Sequence, residues 1–156
     1  MIRAAFVWLA TTPVGLYMRD STNGFAAVEA AHLLGLAVVG GAVTLLALAN
    51  LRLALNGQPA AVTARGLFPI FTVSLAVMLA TGCLLMASKP LRYFLSDAFR
   101  LKMLLLGLGV ALYFHLDARL KSAEGAADTR WLQVASVGLL ALWLGVGLAG
   151  RFIGLL

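Results

Sequence analysis

Long apolar stretches broken by short polar ones are the dominant pattern along the chain. Ala30–Leu51, Gly66–Ser88 and Trp131–Gly150 contain no Asp, Glu, Lys or Arg. Each has about the 20 residues that a helix rising 1.5 Å per residue needs to cross about 30 Å of hydrocarbon. Between the second and third windows, Met103–Leu116 is too short alone. Extended back to Ala98 it becomes a full span with Arg100 and Lys102 in its first turns. The pattern predicts four transmembrane helices over about 26–51, 66–88, 98–118 and 131–152. Asn56-Gly57-Gln58-Pro59 is turn chemistry between the first two. Lys89-Pro90 ends the second, because the residue before proline disfavours helical geometry. Ser122–Arg130 is a polar connection. Ahead of the first span, residues 3–18 form a short apolar run that Thr11-Thr12-Pro13 interrupts, with Trp8 and Tyr17 suited to the headgroup zone. We read it as a retained interfacial helix rather than a cleaved signal, since no small-residue cleavage motif stands out. The expected fold is therefore all-α, a single-domain integral membrane four-helix bundle with an interfacial start.

Composition sharpens this reading. Of 156 residues 62% are hydrophobic and 12% charged, with a mean hydropathy of +0.98. Soluble domains carry about 45–50% apolar and about 25% charged residues, so a soluble domain and a disordered chain are both excluded. One cysteine excludes an intramolecular disulfide framework and any multi-Cys zinc or iron–sulfur site. The net charge of +6 needs no nucleic acid, because basic loops orient membrane proteins and meet anionic lipid. The basic residues divide evenly between the two sides. Arg3, Arg19, Lys89, Arg92 and Arg151 face Arg52, Arg65, Arg119, Lys121 and Arg130, so the positive-inside rule gives no orientation.

Ionisable residues inside spans are costly and usually functional. Here they are Glu29, His32, Arg100, Lys102 and His115. Glu29 lies near a boundary, where water solvates it. Arg100 and Lys102 can snorkel, and Arg100 can also pair with Asp97 one turn earlier. Two histidines suggest one haem b held between helices, and depth tests the idea. Counted from the side of the termini, His32 lies about 6 Å deep and His115 about 22 Å. A mismatch of about 16 Å exceeds what helix tilts near 20° absorb. Lys102, about 3 Å deep on the same count, matches His32, and so does Met86. A His32/Lys102 axial pair is thus allowed, with His32/Met86 second. Gly35 and Gly109, at helical spacing from His32 and Lys102, leave room for a porphyrin edge or simply let helices pack closely. Lys89, Arg92 and Arg100 sit at the right end for propionates. His115 is either an interfacial histidine beside Asp117 and Arg119, with Thr44 and Thr72 at its depth, or marks a second haem or quinone contact.

Specific motifs carry a family resemblance. Ala31-His32-Leu33-Leu34-Gly35-Leu36-Ala37, then Gly40-Gly41 and Leu51-Arg52-Leu53, resemble the first helix of HemJ-type protoporphyrinogen oxidases and of copper-resistance protein D-type membrane domains. Thr81-Gly82 and Phe99-Arg100-Leu101-Lys102 extend the likeness across residues 29–119. With Tyr93-Phe94 and Phe114-His115, the pattern is most similar to an uncharacterised family of short bacterial four-helix membrane proteins. In the HemJ-type family a histidine on an early helix and a lysine on a later one are tied to haem b. Those roles map onto His32 and Lys102. The chain departs from that family where Val38-Val39 precedes the glycine pair and Asn50-Leu51-Arg52 ends the helix. It also lacks the Met and His clusters of a copper route.

The expected function is haem b binding for electron transfer in the bacterial inner membrane, with a protein partner or a second copy of the chain, and with termini outside by family likeness. The alternatives are a cofactor-free scaffold or accessory subunit, HemJ-like porphyrinogen oxidation, and copper-related transport. No catalytic base, nucleophile or substrate pocket is visible.

Overall fold

The computed structural model describes residues 2–55, 58–122 and 129–155, with backbone alone at 2, 3, 5, 129, 154 and 155. The Asn56-Gly57 turn, residues 123–128 of the last polar connection and the Arg3 side chain lie outside the described residues. Those described are helical with short connections and contain no strand. Two short helices, α1 (Ile2–Thr11) and α2 (Pro13–Asp20), precede α3 (Thr22–Asn50). Then follow α4 (Ala60–Ser88), α5 (Pro90–Leu95), α6 (Asp97–Ser122) and α7 (Thr129–Leu155). Four of them, α3, α4, α6 and α7, are long and apolar enough to cross a membrane. Their succession brings residues 22 and 155 to the same end of the bundle.

Local chemistry sets the ends. The run read as one interfacial helix is two, because Thr12 is extended (φ −70°, ψ 151°) and accepts the Gly15 N–H at its side-chain oxygen, with Pro13 opening α2. Ser21 caps α3 in the same way through the Gly24 N–H. Gly15 is required here: a Cβ would strike the Leu9 carbonyl oxygen and come within 3.1 Å of the Ala87 carbonyl of α4. Helix α3 closes with paired bonds from Leu53 N–H to the Leu48 carbonyl (2.9 Å) and Arg52 N–H to the Ala49 carbonyl (3.1 Å). This is the helix stop that usually places glycine in the left-handed region. Here Arg52 adopts it, at φ 59°. Arg52→Gly is therefore expected to stabilise the bundle by about 1 kcal/mol, read as a higher thermal midpoint in detergent. An unchanged or lower midpoint contradicts this account of the turn.

The spanning helices form a ring: α3 packs on α4, α4 on α6, α6 on α7 and α7 on α3, so α3 and α6 face each other across the diagonal. Helices α1, α2 and α5 pack at the terminal end, α1 against α5 and α2 against α4 and α3. Large side chains fill the middle and the end remote from the termini: Val43, Leu46, Phe71, Met78, Tyr113, Leu116, Leu139 and Trp143 are buried. Phe71 and Tyr113 stack at 3.5 Å between ring centres, with Trp143 tilted against Phe71 at 6.2 Å. Because lipid is as apolar as these groups, close packing rather than water exclusion favours the association.

Candidate functional site at the terminal end of the bundle

The large core residues thin out towards the termini. In the last turns the helices bring forward small or polar residues instead: His32 and Gly35 on α3, Thr81 and Gly82 on α4, Lys102 on α6, Gly150 on α7. His32 is half-buried, and its Nδ1 lies 3.0 Å from Thr81 Oγ1. The Thr81 hydroxyl has one proton and donates it within its own helix, to the Val77 carbonyl at 2.7 Å. With its proton on that carbonyl it accepts at His32, and the tautomer that fits this arrangement has the imidazole proton on Nδ1. In the neutral imidazole Nε2 is then left with a lone pair, the arrangement in which a histidine binds a metal while its other nitrogen is held by an acceptor. Gly82 makes room for the ring edge, since a Cβ there would lie 3.2 Å from His32 Cε1.

Lys102, also half-buried, comes from the diagonally opposite helix. Its stem lies against Gly150, where a Cβ would sit 3.5 Å from Nζ and 3.6 Å from Cε. Its amine is within electrostatic reach of the His32 ring. The depth count from sequence had matched these two residues. Met86 is half-buried one turn past Gly82, and Arg92 is exposed on α5. Arg100 is exposed and engaged, donating to Asp97 Oδ1 and the Phe94 carbonyl, both at 3.1 Å. On α5 burial pushes the Tyr93 phenol above its ordinary range, with the Arg92 cation opposing and the Glu29 carboxylate reinforcing.

The two glycines expected to admit a porphyrin edge are covered by protein. Gly35 faces Met78, whose Cβ, Cα and N lie 3.5–3.6 Å from a Cβ built there. Gly109 faces Trp143, at 3.2 Å from Cε3. Both serve close helix packing, the other use foreseen for them. His115 sits near the opposite end, exposed and edge-on to Trp131 at 5.3 Å between ring centres. Thr72, considered as its partner, instead bonds the Phe68 carbonyl of its own helix. Among the described residues no group of three His, Cys, Asp or Glu side chains is placed to hold a metal ion.

The sequence profile of a family described as "Family of unknown function (DUF6644)" matches residues 5–156. The chain belongs to this family. No curated protein and no solved structure matches it. The family assignment covers α3 to α7, and so includes His32, Thr81, Lys102 and the helices that carry them.

Sequence reasoning did not assign Thr81 as the partner of His32, nor Gly82 and Gly150 as the surfaces on which His32 and Lys102 lie. Thr81-Gly82 was visible only as part of a motif. Its role depends on the register of α4 against α3, which one helix's own spacing does not carry.

Proposed function

We propose that this chain is a haem b-binding protein of the bacterial inner membrane, termini outside, that passes electrons to a protein partner. The observation that carries the reading is the 3.0 Å contact of His32 Nδ1 with Thr81 Oγ1, which supports the tautomer with its proton on Nδ1 and its lone pair on Nε2. His32 Nε2 and the Lys102 amine are the groups that would hold the haem, with Met86 the alternative to Lys102. A neutral lysine amine can ligate iron. Arg92 and Arg100 lie at the end of the bundle where propionates would emerge. A bound haem b supplies one-electron chemistry, and its potential responds to the axial ligands. The likeness of the His32 and Lys102 segments to HemJ-type proteins points the same way.

Haem titrated into haem-depleted protein in detergent tests this through the Soret band. Thr81→Val removes the acceptor that orients His32 and is expected to weaken binding by about 10–100-fold, the usual effect of losing such a support. Equal affinity in wild type and variant contradicts the assignment of Nε2. A second reading, a cofactor-free scaffold within a larger complex, is favoured by one observation: Met78 and Trp143 fill the glycine faces that the haem edge was expected to use. That reading requires no saturable haem binding at all.

A further inference from the structure

The seam between α6 and α7, at the end of the bundle remote from the termini, carries an exposed cluster that the haem reading does not use. Leu112, His115 and Arg119 follow one face of α6, and Trp131, Val134 and Gly138 one face of α7, both at helical spacing. Three contacts hold the two faces in register. The Arg119 guanidinium lies 6.0 Å from the centre of the Trp131 ring. His115 meets the same ring edge-on at 5.3 Å. Further in, a Cβ on Gly138 would sit 3.8 Å from Leu112 Cδ2. His115, Arg119 and Trp131 are all exposed.

From Trp131 this face leads into an open groove of about 450 Å³, lined by Leu51 at the end of α3 and by Gln133, Val134, Val137 and Gly138 of α7. Of these only Gln133 has a polar side chain. Val134, Val137 and Gly138 lie about 5–10 Å further into the membrane than Trp131, at 1.5 Å per residue. The apolar part of the groove therefore opens to hydrocarbon, while Trp131 stands at the level where indoles favour the headgroups. Val134 is 71% and Val137 56% exposed, so the described residues leave the groove uncovered.

Charge decides the occupant. Arg119 stands at the polar end of the seam over Trp131, and the exposed Arg52 follows Leu51 at the α3 side of the groove. Asp117, the one described acid at this end, is buried and bonded to Lys121 at 2.6 Å. Glu124 and Asp128 lie outside the described residues. We propose that the groove binds an anionic phospholipid. One acyl chain lies against Leu51, Val134, Val137 and Gly138, and the phosphodiester meets Arg119 beside Trp131. Arg52 adds positive field from the other side, and His115 holds the indole in place. A quinone would use the groove for its isoprenoid tail but brings no charge for Arg119. The proposal is independent of the haem reading.

Native mass spectrometry of the full chain, released from an uncharged detergent, tests this with phosphatidylglycerol and phosphatidylcholine of identical acyl chains. Phosphatidylglycerol should bind at least about fivefold more tightly, the worth of one basic side chain at an anionic membrane surface. Arg119→Gln should lower phosphatidylglycerol affinity by about the same factor and leave phosphatidylcholine unchanged. Arg151→Gln, an equal loss of charge at the opposite end, should leave both unchanged. Val137→Phe fills the groove from its exposed side and should weaken both lipids. Equal binding of the two lipids by the wild type overturns the proposal in favour of an uncharged occupant, and that comparison stands even if a variant folds poorly. Equal losses in Arg119→Gln and Arg151→Gln overturn it in favour of general attraction to a basic protein. A wild-type dimer that Val137→Phe dissociates overturns it in favour of a second copy of the chain.

Discussion

His32→Ala is expected to remove essentially all bound haem b while the protein still inserts and folds. The substitution deletes the nitrogen proposed to hold the haem, and no other histidine is near enough to replace it. His115, the one other histidine, lies towards the opposite end against Trp131. The fold should survive because the lost hydrogen bond leaves no orphan: the Thr81 hydroxyl keeps its bond to the Val77 carbonyl. A net hydrogen bond contributes about 1 kcal/mol, small against the packing of four helices. His115→Ala is the matched control and should leave the haem spectrum unchanged. Full haem retention in His32→Ala contradicts the ligand assignment. Complete haem loss in His115→Ala with insertion intact shows that the helix directions or levels are wrong. Both are read from the ratio of Soret to protein absorbance after purification.

The second large effect is expected at Lys121. Asp117 is 4% exposed, and its Oδ2 is bonded to Lys121 Nζ at 2.6 Å. Lys121→Met keeps the stem but removes the charge and three donors, leaving a carboxylate near the end of an apolar bundle without its counter-ion. Removing one member of a buried pair typically costs about 3–5 kcal/mol, whereas replacing both by apolar groups of similar size is often close to neutral. Lys121→Met should therefore lower the thermal midpoint strongly, and Asp117→Leu combined with Lys121→Met should recover most of the loss. Additive losses in the double variant would show that the two residues act separately. The cation–π contact of Lys121 with Phe68 is lost in both variants, so it cancels in the comparison.

The spans were legible in the sequence because charge-free windows report where the chain sits in hydrocarbon. The helix ends were less so, because a helix continues into water wherever its hydrogen bonds do. Helix α4 starts at Ala60, six residues before the apolar window, and carries Arg65 in its first turns. Pro90 was read as a stop, and it is one for α4, but the same residue opens α5, where a missing N–H costs nothing. The closing turn of α3 was hidden because it uses an arginine where glycine is usual.

At the candidate site, counting 1.5 Å per residue was enough to match His32 with Lys102 and to separate His115 from both. It also anticipated the pairing of Arg100 with Asp97. The count fails for anything that depends on what stands opposite. Gly35 and Gly109 looked like openings from their own helices, and only the register of α4 and α7 brings Met78 and Trp143 against them. The Asp117–Lys121 pair was legible as i,i+4 spacing, yet its burial was not, because α6 carries charge on this face at the end of its span.

The measurement that bears most directly on the central proposal is the haem content of the wild-type chain after haem-replete expression and purification in detergent. The account predicts a Soret band and a pyridine haemochrome spectrum of haem b, with about one haem per chain, the stoichiometry of a single His32 site. Well-folded protein with no Soret band, and none after titration with haem, contradicts it.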